Sequence, residues 1–533
     1  MEENKVPEEN KVQPEPEQEV KSPKKKKTGL VVFFVFLGIL VIIAIVLAIL
    51  VFTGALGKEK TSTEVKQTNT EYRMTGNDLQ DFDLSFLKIE NKEANKVYSP
   101  LSIKYALAML NEGADGATKE QITNVIGDYK SKKYMNSEHL SLANALFVRD
   151  TFKNNLQEDY IKSIKTKYDA EVITDSFQNA STINNWTSDK TFKLIDNLMS
   201  DDDMGDLEYV LVNALAIDMN WNNAIQCASG IKIPCIQYSV NYKHEKYNDY
   251  VSTIYDDQYP TMNFNGTENI KSLEVAGSFN NYDIVKELGE DKIRETVGKE
   301  YDAFLAKGGC GDDPDRETYL NTYIDELNSN YKQEDYSTDF YMYDDENVKV
   351  FAKDLKEYDG TTLQYVGIMP KEAKLTDYIN GLDAKQAQKI ISNLKELKAD
   401  NFEDGVVTKI RGNIPLFNYD YELDLMNDLQ TMGIKDVFDI SKSNLSKLSS
   451  GEKTFIAKTV HKANIEFSNE GIKASAATAM GGAGAAGCWF TYDYDVPVKE
   501  INISFDKPFM YIIRDKASGE VWFAGTVYEP LKK

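Results

Sequence analysis

Residues 461–479 read HKANIEFSNEGIKASAATA, a β-prone run followed by a second, alternating pattern. From Ile472 onward one side of the segment is mostly apolar and, apart from its two ends, small: Ile472, Ala474, Ala476, Thr478 and Met480. The other side carries Lys473, Ser475, Ala477 and Ala479. A period of two is typical of a strand. Because small side chains cost little to bury between existing strands, we predict a loop that can enter a sheet already packed.

The glycines that follow imitate a nucleotide-binding turn. Gly482, Gly484 and Gly487 spell G-x-G-x-x-G, but such a turn needs a helix immediately after it, pointing its N-terminus at a pyrophosphate. The next residues are CWFTYDYDVPV, which are aromatic, β-prone and closed by Pro497. We therefore reject a nucleotide site. A flexible linker suits the Gly-rich half, whereas the alternation before it does not suit a linker.

The N-terminus predicts a membrane anchor. Residues 1–28 are rich in Glu, Lys and Pro and end in four lysines and a threonine, which predicts a disordered cytoplasmic tail. Residues 29–56 carry no charge, and a helix of that length, at about 1.5 Å per residue, exceeds the roughly 30 Å hydrocarbon core. The preceding lysines predict a cytoplasmic N-terminus, with everything after Leu56 outside the cell. A cleaved signal peptide is the alternative, although its apolar stretch is normally about 7–15 residues.

Composition excludes several classes of function. The net charge of -24 argues against nucleic acid as a partner, because phosphate binding requires concentrated Lys and Arg. Three histidines, His139, His244 and His461, make a multi-histidine metal site improbable, and we predict neither a metal nor a cofactor. Residues 57–76 are polar and Thr-rich and are predicted to form a stalk. Residues 77–533 then form the folded body.

The order of patterns along this body predicts an α+β fold. Helical periodicity comes first, in NDLQDFDLSFLKIE and in the capped pair SPLSIKYALAMLNEGADGATKEQITNVI. β-rich runs such as LEYVLVNALAI, TLQYVGIMP and HKANIEF come mostly later. Helices followed by strands favour an α+β fold over a regular βαβ repeat.

At this point the residues resemble a known family, the serpins or serine protease inhibitors. HKANIEFSNEGIKASAATA looks like the family's strand and proximal hinge, and ANALFV and LVNALAIDMNW look like strands of its central sheet. The resemblance continues, in family order from about Asn77 to Pro530, through NKVYSPLSIKYALAMLNEGADGATKEQI, IPLFNYDYELDLMNDLQTMGIKDVFD and FDKPFMYIIRDKASGEVWFAGTVYEP.

The resemblance implies helices around a central five-stranded mixed sheet, with an exposed reactive loop that inserts after a protease cleaves it. The protease is trapped as an acyl-enzyme and supplies the nucleophile itself, so the chain is a suicide substrate and not an enzyme. We expect a monomer whose partner is a serine protease, bound covalently. The implied hinge comprises Gly471, Ile472, Lys473, Ala474, Ser475, Ala476, Ala477 and Thr478.

Further positions carry over from the family. Ser99, Ser102, Asn213 and His461 match its shutter, where the sheet opens, and Trp186 and Trp221 match aromatic positions near the top of the sheet. For His461, the interpretation as a hydrogen-bonded core histidine coincides with the shutter role. For Trp186 and Trp221, packing in the core is a sufficient explanation. The family spacing from Gly471 places the scissile bond at Ala485-Ala486. Such small residues suit elastase-like or subtilisin-like proteases, and Lys473, the only basic residue between Gly471 and Lys499, disfavours a trypsin-like target.

Three departures from the family pattern stand out. Ile472 occupies a position where inhibitory members usually carry a small residue, so insertion is expected to be slow or the protein to be only a substrate. After Ala486 the chain reaches ISFDKPF about a dozen residues later than is usual in the family, and the extra piece contains CWFTYDYD. This aromatic segment is an exosite, a shifted cleavage site or a segment folded back on the body. A large insertion is predicted at about 222–340, with SFNNYDIVKELGEDKIRETVGKEYDAFLAKGG helical.

Four cysteines remain. Cys227 and Cys235 close the shortest loop, and a pair between Cys310 and Cys488 is conjecture; free thiols are the alternative. The sequence thus predicts a membrane-anchored, extracytoplasmic inhibitor of serine proteases that prefer small residues. The alternative is a non-inhibitory binding or adhesion module of the same fold.

Overall fold

A computed structural model describes residues 79–127, 129–130, 132–205, 207–222, 235–236, 242–243, 261–332, 339–451, 454–469, 471–472 and 490–532. The predicted tail, membrane span and stalk lie outside these residues, as does most of the predicted reactive loop. Among the helices within the described residues, none is both long and apolar enough to cross a membrane.

The α-helices, numbered along the chain, are α1 Asp81–Ile89, α2 Pro100–Gly113, α3 Gly116–Ile126, α4 Glu158–Tyr168, α5 Ser181–Lys190, α6 Ile284–Leu288, α7 Glu290–Ala306, α8 Arg316–Ser329, α9 Leu375–Gly381, α10 Ala384–Ser392 and α11 Leu425–Thr431. Short 3-10 turns lie at Lys153–Asn155, Asp201–Met204, Ala399–Asn401 and Asp436–Phe438.

The strands are β1 Lys96–Tyr98, β2 Leu140–Arg149, β3 Glu171–Asp175, β4 Tyr209–Ile217, β5 Met219–Asn220, β6 Cys235–Ile236, β7 Tyr242–Lys243, β8 Thr261–Phe264, β9 Thr267–Asn280, β10 Phe340–Asp344, β11 Val348–Asp354, β12 Leu363–Pro370, β13 Lys395–Glu396, β14 Val407–Pro415, β15 Phe417–Leu423, β16 His461–Phe467, β17 Gly471–Ile472, β18 Tyr494–Asp495, β19 Val498–Asn502, β20 Phe509–Asp515 and β21 Val521–Val527. With the helices, they form the α+β arrangement that the sequence predicts.

Two sheets make up most of the body around the site. One has seven strands in the order β1-β21-β20-β12-β11-β10-β13, and another has the order β19-β14-β9-β6, with β8 paired to β9. Their strands supply much of the apolar core; β12 is buried along its whole length. The 14-residue β9 pairs with β14 from Asn280 to Ser272 and was not predicted, because its polar and charged residues obscure the strand pattern.

A central sheet carries the predicted hinge. Strands β3, β2 and β4 form one part, in which β2 runs parallel to β3 and antiparallel to β4. Strands β15, β16, β17 and β5 form the other part. Because β4 and β5 are one chain segment interrupted only at Asp218, the two parts are halves of a mixed sheet of five principal strands.

Local sequence explains the elements next to the site. Alternate residues of β16 are buried, from His461 to Phe467, and those between them are half-exposed, as a strand with one face on a core requires. Helix α2 begins at Pro100, and the side chain of Ser99 caps it by accepting the backbone N–H of Ser102 at 3.0 Å. Proline at the first helical position and serine at the cap are both favoured, so this helix start is encoded locally.

Candidate functional site

The central sheet is divided by a gap between β4 and β16, which we call the seam. Strand β4 bonds to β2 on its other side, and β16 bonds to β15, but among the described strands no ladder joins β4 to β16. Edge strands present unpaired backbone N–H and C=O groups, which are a template for an added strand. The facing edges of β4 and β16 could therefore accept an added strand.

Cavities follow this seam from end to end. One of about 170 Å³ lies between residues 207–213 and 454–461 and is floored by α2. A second, of about 20 Å³, lies midway, and a third, of about 10 Å³, lies beneath Ile472, between residues 215–217 and 464–466. Protein interiors are ordinarily close-packed, so aligned voids indicate that the two halves are only loosely joined here.

The hinge closes the seam at one end. Gly471 and Ile472 form β17, which pairs with Asn220 and Met219 on one side and, through Ile472, with Phe467 on the other. A Cβ atom added at Gly471 would lie 2.0 Å from the carbonyl oxygen of Met219, so only glycine permits this approach. Ile472 is 2% exposed, and this residue, the first departure from the family pattern, already occupies the sheet.

Trp221 and Ser468 brace the hinge. The indole Nε1–H of Trp221 donates to the carbonyl oxygen of Ser468 at 3.1 Å, and the backbone N–H of Ser468 donates to the carbonyl of Gly471 at 3.0 Å. The Trp221 ring also lies 5.4 Å from that of Phe467. The structure thus places Trp221 at the hinge end of the sheet, where the sequence predicted it. Ser468 was missed because a serine in a loop carries no distinguishing signal.

Trp186 lies elsewhere. It projects from α5 onto Phe147, with ring centroids 5.7 Å apart, and Phe147 pairs with Val210 near the start of β4. The hinge pairs with Met219, beyond the end of β4. The prediction that both tryptophans lie at the top of the sheet is therefore wrong for Trp186, because α5 crosses the opposite end of these strands.

The four predicted shutter residues meet at the middle of the seam. Ser99, Ser102, Asn213 and His461, up to 362 positions apart in sequence, all line the 20 Å³ cavity. The backbone N–H of Ser99 donates to His461 Nε2 at 3.0 Å. The Asn213 amide Nδ2 donates to Asn144 Oδ1 at 2.7 Å. Sequence reasoning missed Asn144, although an asparagine inside the apolar run LSLANALFV was a usable signal.

Burial sets the protonation state of His461, one of the predicted shutter residues. Desolvation lowers the pKa of His461 to about 4, so its ring is neutral and accepts the Ser99 N–H at physiological pH. Asn213 Oδ1 and Thr187 Oγ1 are buried with no hydrogen-bond partner among the described residues. Buried polar groups ordinarily have partners, so these two atoms are exceptions. The described residues contain no cluster of His, Cys, Asp or Glu suited to a metal ion.

Comparison with known proteins identifies the architecture. The family model described as Serpin (serine protease inhibitor) matches residues 79–229 and 332–530. This chain belongs to the serpin family. Serpins are inhibitors and not enzymes, which agrees with a site made of a strand acceptor and a hinge.

Individual serpins are similar to this chain over most of its length. The chain is 25% identical to human leukocyte elastase inhibitor over 84% of this chain and 97% of that protein. It is 24% identical to an uncharacterized serpin-like protein of Methanosarcina acetivorans, over 86% of each. The native-state structure of tengpin, a thermophilic serpin, covers 86% of this chain and 96% of its own, with a TM-score of 0.55 and 21% identity, and therefore shares the fold.

Several predicted serpin positions lie outside the described residues. They include the scissile bond Ala485-Ala486, the hinge residues Lys473, Ala474, Ser475, Ala476, Ala477 and Thr478, and the glycines of the G-x-G-x-x-G pattern. Their roles stay predictions. Cys310 is disulfide-bonded, so the free-thiol alternative is wrong for this cysteine. Cys227 and Cys488 lie outside the described residues, and Cys235 is described only as part of β6.

The remaining two departures from the family pattern meet in space. The two ranges matched to the serpin family are separated by residues 230–331. Of the stretch 278–309 that was predicted to be helical, 284–288 and 290–306 are helical, in α6 and α7, but 278–280 belong to β9. Phe490 and Tyr492, from the lengthened loop, pack against these helices and α8. Of the three interpretations of this aromatic segment, folding back on the body is confirmed for residues 490–495. A single insertion over about 222–340 stays a prediction.

Proposed function

We propose that this serpin inhibits serine proteases by the insertion mechanism of its family, with residues after Ile472 entering the seam as a new strand between β4 and β16. The observation that carries the proposal is the unpaired seam, capped at one end by two hinge residues that already pair with both of its walls. Insertion would then extend a strand whose first two residues are in register, and would not need a new nucleus.

The available length supports insertion. Below Met219 the seam is bordered by residues 209–218, ten positions. Cleavage at Ala485-Ala486 would release residues 473–485, thirteen in number, on the hinge side. At about 3.3 Å per residue these span the ten facing positions with a short remainder. The residues in phase with the buried Ile472 are Ala474, Ala476, Thr478 and Met480. The first three are small enough for the narrow cavities near the hinge, and the larger Met480 would lie towards the 170 Å³ cavity at the far end of the seam.

We further propose a target protease that prefers small residues, elastase-like or subtilisin-like, because Ala485 precedes the predicted scissile bond. The similarity to human leukocyte elastase inhibitor points the same way.

The charge pattern of the N-terminus supports a position outside the cell on a single membrane helix. Deletion of residues 1–56 should therefore move the protein from the membrane fraction to the supernatant.

The test is covalent trapping. The full chain in mild detergent is mixed in slight excess with pancreatic elastase or, separately, with subtilisin and run on a denaturing gel. We expect a band at the summed mass and a released peptide that begins at Ala486. Clean cleavage with active protease remaining would instead make the chain a substrate and favour the binding-module alternative.

A matched pair of variants isolates insertion from cleavage. Ala476→Arg places a long cation on the side that is in phase with Ile472, whereas Ala477→Arg places the same cation on the other side. We expect Ala476→Arg to be cleaved without forming the covalent band, because a buried unpaired charge blocks insertion. Ala477→Arg should retain most of the trapping. Equal losses in both variants would count against insertion in this register.

A further inference from the structure

The lengthened end of the loop is a segment with two different faces, of which Tyr494–Asp495 is strand β18. From Phe490 to Val496 the residues alternate between half-buried or buried and exposed, so that Phe490, Tyr492, Tyr494 and Val496 share one side. We call Phe490–Val496 the docked strand. Thr491, Asp493 and Asp495 face solvent. A period of two with one apolar face requires a partner surface.

That partner surface is formed by helices α7 and α8. The Phe490 ring lies 5.3 Å from Tyr301, 5.3 Å from Phe304 and 5.5 Å from Tyr319, centroid to centroid. Tyr301 and Tyr319 stack on each other at 4.1 Å. We call these residues, together with Tyr323, the aromatic dock. Aromatic rings at such separations attract one another in addition to burying apolar area.

The dock also forms hydrogen bonds with the backbone of the docked strand. The hydroxyl of Tyr323 donates to the carbonyl oxygen of Tyr492 at 2.7 Å, and that of Tyr319 donates to the carbonyl of Phe490 at 3.5 Å. Tyr319 and Tyr323 are one helical turn apart, about 6 Å along α8. The two carbonyls are two residues apart, about 6.6 Å along a strand. This match of spacings lets one helix face bind an extended segment in a single register.

Beyond the dock the strand continues into the body. Tyr494 and Asp495 pair with Tyr242 and Lys243, and Val496 packs with Val407 in the same apolar cluster as α7 and α8. The chain then enters β19, which pairs with β14. The segment after Phe490 is therefore held by side chains and backbone alike.

We propose that α6–α8 form a docking module for the C-terminal leg of the reactive loop, which fixes where the exposed loop ends and withholds Phe490, Tyr492 and Tyr494 from proteases. The residues that join the hinge to the dock are then 473–489. Proteases that select aromatic residues are then denied Phe490, Tyr492 and Tyr494. The segment between the hinge and the dock keeps the small residues near 485 and one aromatic residue, Trp489. This specificity role rests on the proposed inhibitory function; the docking itself does not.

The module explains how the chain carries about a dozen extra loop residues. An undocked extension would leave slack behind the scissile bond and would expose aromatic cleavage sites on the far side of it. Cleavage there would cut the loop without placing the protease where insertion can trap it. With the leg docked, cleavage at Ala485-Ala486 leaves only residues 486–489 between the cut and Phe490.

The test compares chymotrypsin, which cleaves after aromatic residues, on the full chain and its variants, with each cut located by peptide mass. In the unaltered chain we expect no early cut after Phe490, Tyr492 or Tyr494. Tyr323→Phe, which keeps the ring and removes the donor, should raise the rate of these cuts about fivefold, as the loss of one hydrogen bond implies. Tyr319→Ala should raise it further. Tyr331→Phe, beyond the end of α8, should leave it unchanged.

The outcomes separate the docking from the inhibitory function. Early cuts after Phe490 in the unaltered chain, or equal rates in all four proteins, would overturn the dock. Failure to trap elastase, with the chymotrypsin rates ordered as expected, would overturn the inhibitory function and the specificity role but leave the dock standing. If trapping occurs, the dock variants should also consume more inhibitor per protease, and an unchanged ratio would overturn the specificity role.

Discussion

Gly471 is the residue on which the closure of the seam depends most directly. Its missing side chain lets β17 lie against β5, and any Cβ would collide with the Met219 carbonyl. We therefore expect Gly471→Ala to expel the hinge from the sheet. Hydrogen exchange at the peptide that contains Met219, Asn220 and Trp221 should become faster. The free energy of unfolding should fall by about 1–3 kcal/mol.

The matched control is Gly381→Ala. Gly381 ends α9, and an added Cβ there meets no atom within 4 Å. Alanine is the better helix former, so this variant should be neutral or slightly stabilising. Slow exchange at Met219–Trp221 in Gly471→Ala would show that the hinge does not need this glycine.

His461 predicts a pH dependence. Its pKa is about 4 in the fold against an ordinary value of 6.5, so the unfolded chain binds a proton first as the pH falls. The part of the free energy of unfolding that depends on His461 being neutral is fully present above pH 6.5 and is lost as the pH falls from 6.5 to 4. The total is on the order of 3 kcal/mol, at about 1.4 kcal/mol per pH unit.

The measurement is the urea unfolding midpoint of the full chain between pH 7.5 and pH 4, compared with His461→Gln. Glutamine keeps an acceptor for the Ser99 N–H but does not titrate. The variant should be less stable at pH 7 and should lose less stability on acidification. Parallel curves for the two proteins would mean that His461 is protonated at no cost in the fold.

At the scale of elements, the start of α8 controls the dock. The Asp315 carboxylate accepts the backbone N–H groups of Glu317 and Thr318, each at 3.1 Å, and these bonds with the Thr318 hydroxyl lower its pKa. We expect Asp315→Ala to fray the first turn of α8, so that the amides of residues 317–320 exchange faster. Tyr319 lies in this turn, and the docked strand should loosen with it. Asp325→Ala, at an exposed site within α8, should leave the exchange unchanged.

At the scale of the whole molecule, the seam predicts that one cut stabilises the protein. Among the described strands, neither β4 nor β16 has a backbone partner on the side that faces the seam, and aligned cavities lie beneath it. Filling it with residues 473–485 would add two ladders and close voids. We therefore expect the chain cut at Ala485-Ala486 to unfold at a higher temperature than the intact chain, measured by calorimetry. A cut chain of equal or lower stability would mean that the loop stays out of the sheet.

Much of the chain could be predicted from local patterns, because helix caps and strand alternation act between neighbours. Ser99 and Pro100 start α2, and the alternation in HKANIEF matches β16 residue by residue. The alternation of Phe490, Tyr492 and Tyr494 was equally visible, but a pattern shows that a face is covered and not what covers it. The sequence pointed to Gly471, but nothing in it showed that Met219 is its neighbour.

The sequence by itself predicted the α+β class and the family, and its resemblance to the family singled out Gly471, Ser99, Ser102, Asn213 and His461. Only the tertiary structure decided that Ser99, Asn213 and His461 surround one cavity, that Trp186 lies away from the hinge, and that α7 and α8 hold the end of the loop. The physical reason is that each residue's own conformational preferences act over a few positions, whereas the choice of partner is made by burial and hydrogen bonding across hundreds of residues. The seam is an example: β4 and β16 each have the sequence pattern of a strand, but among the described strands they do not pair with each other.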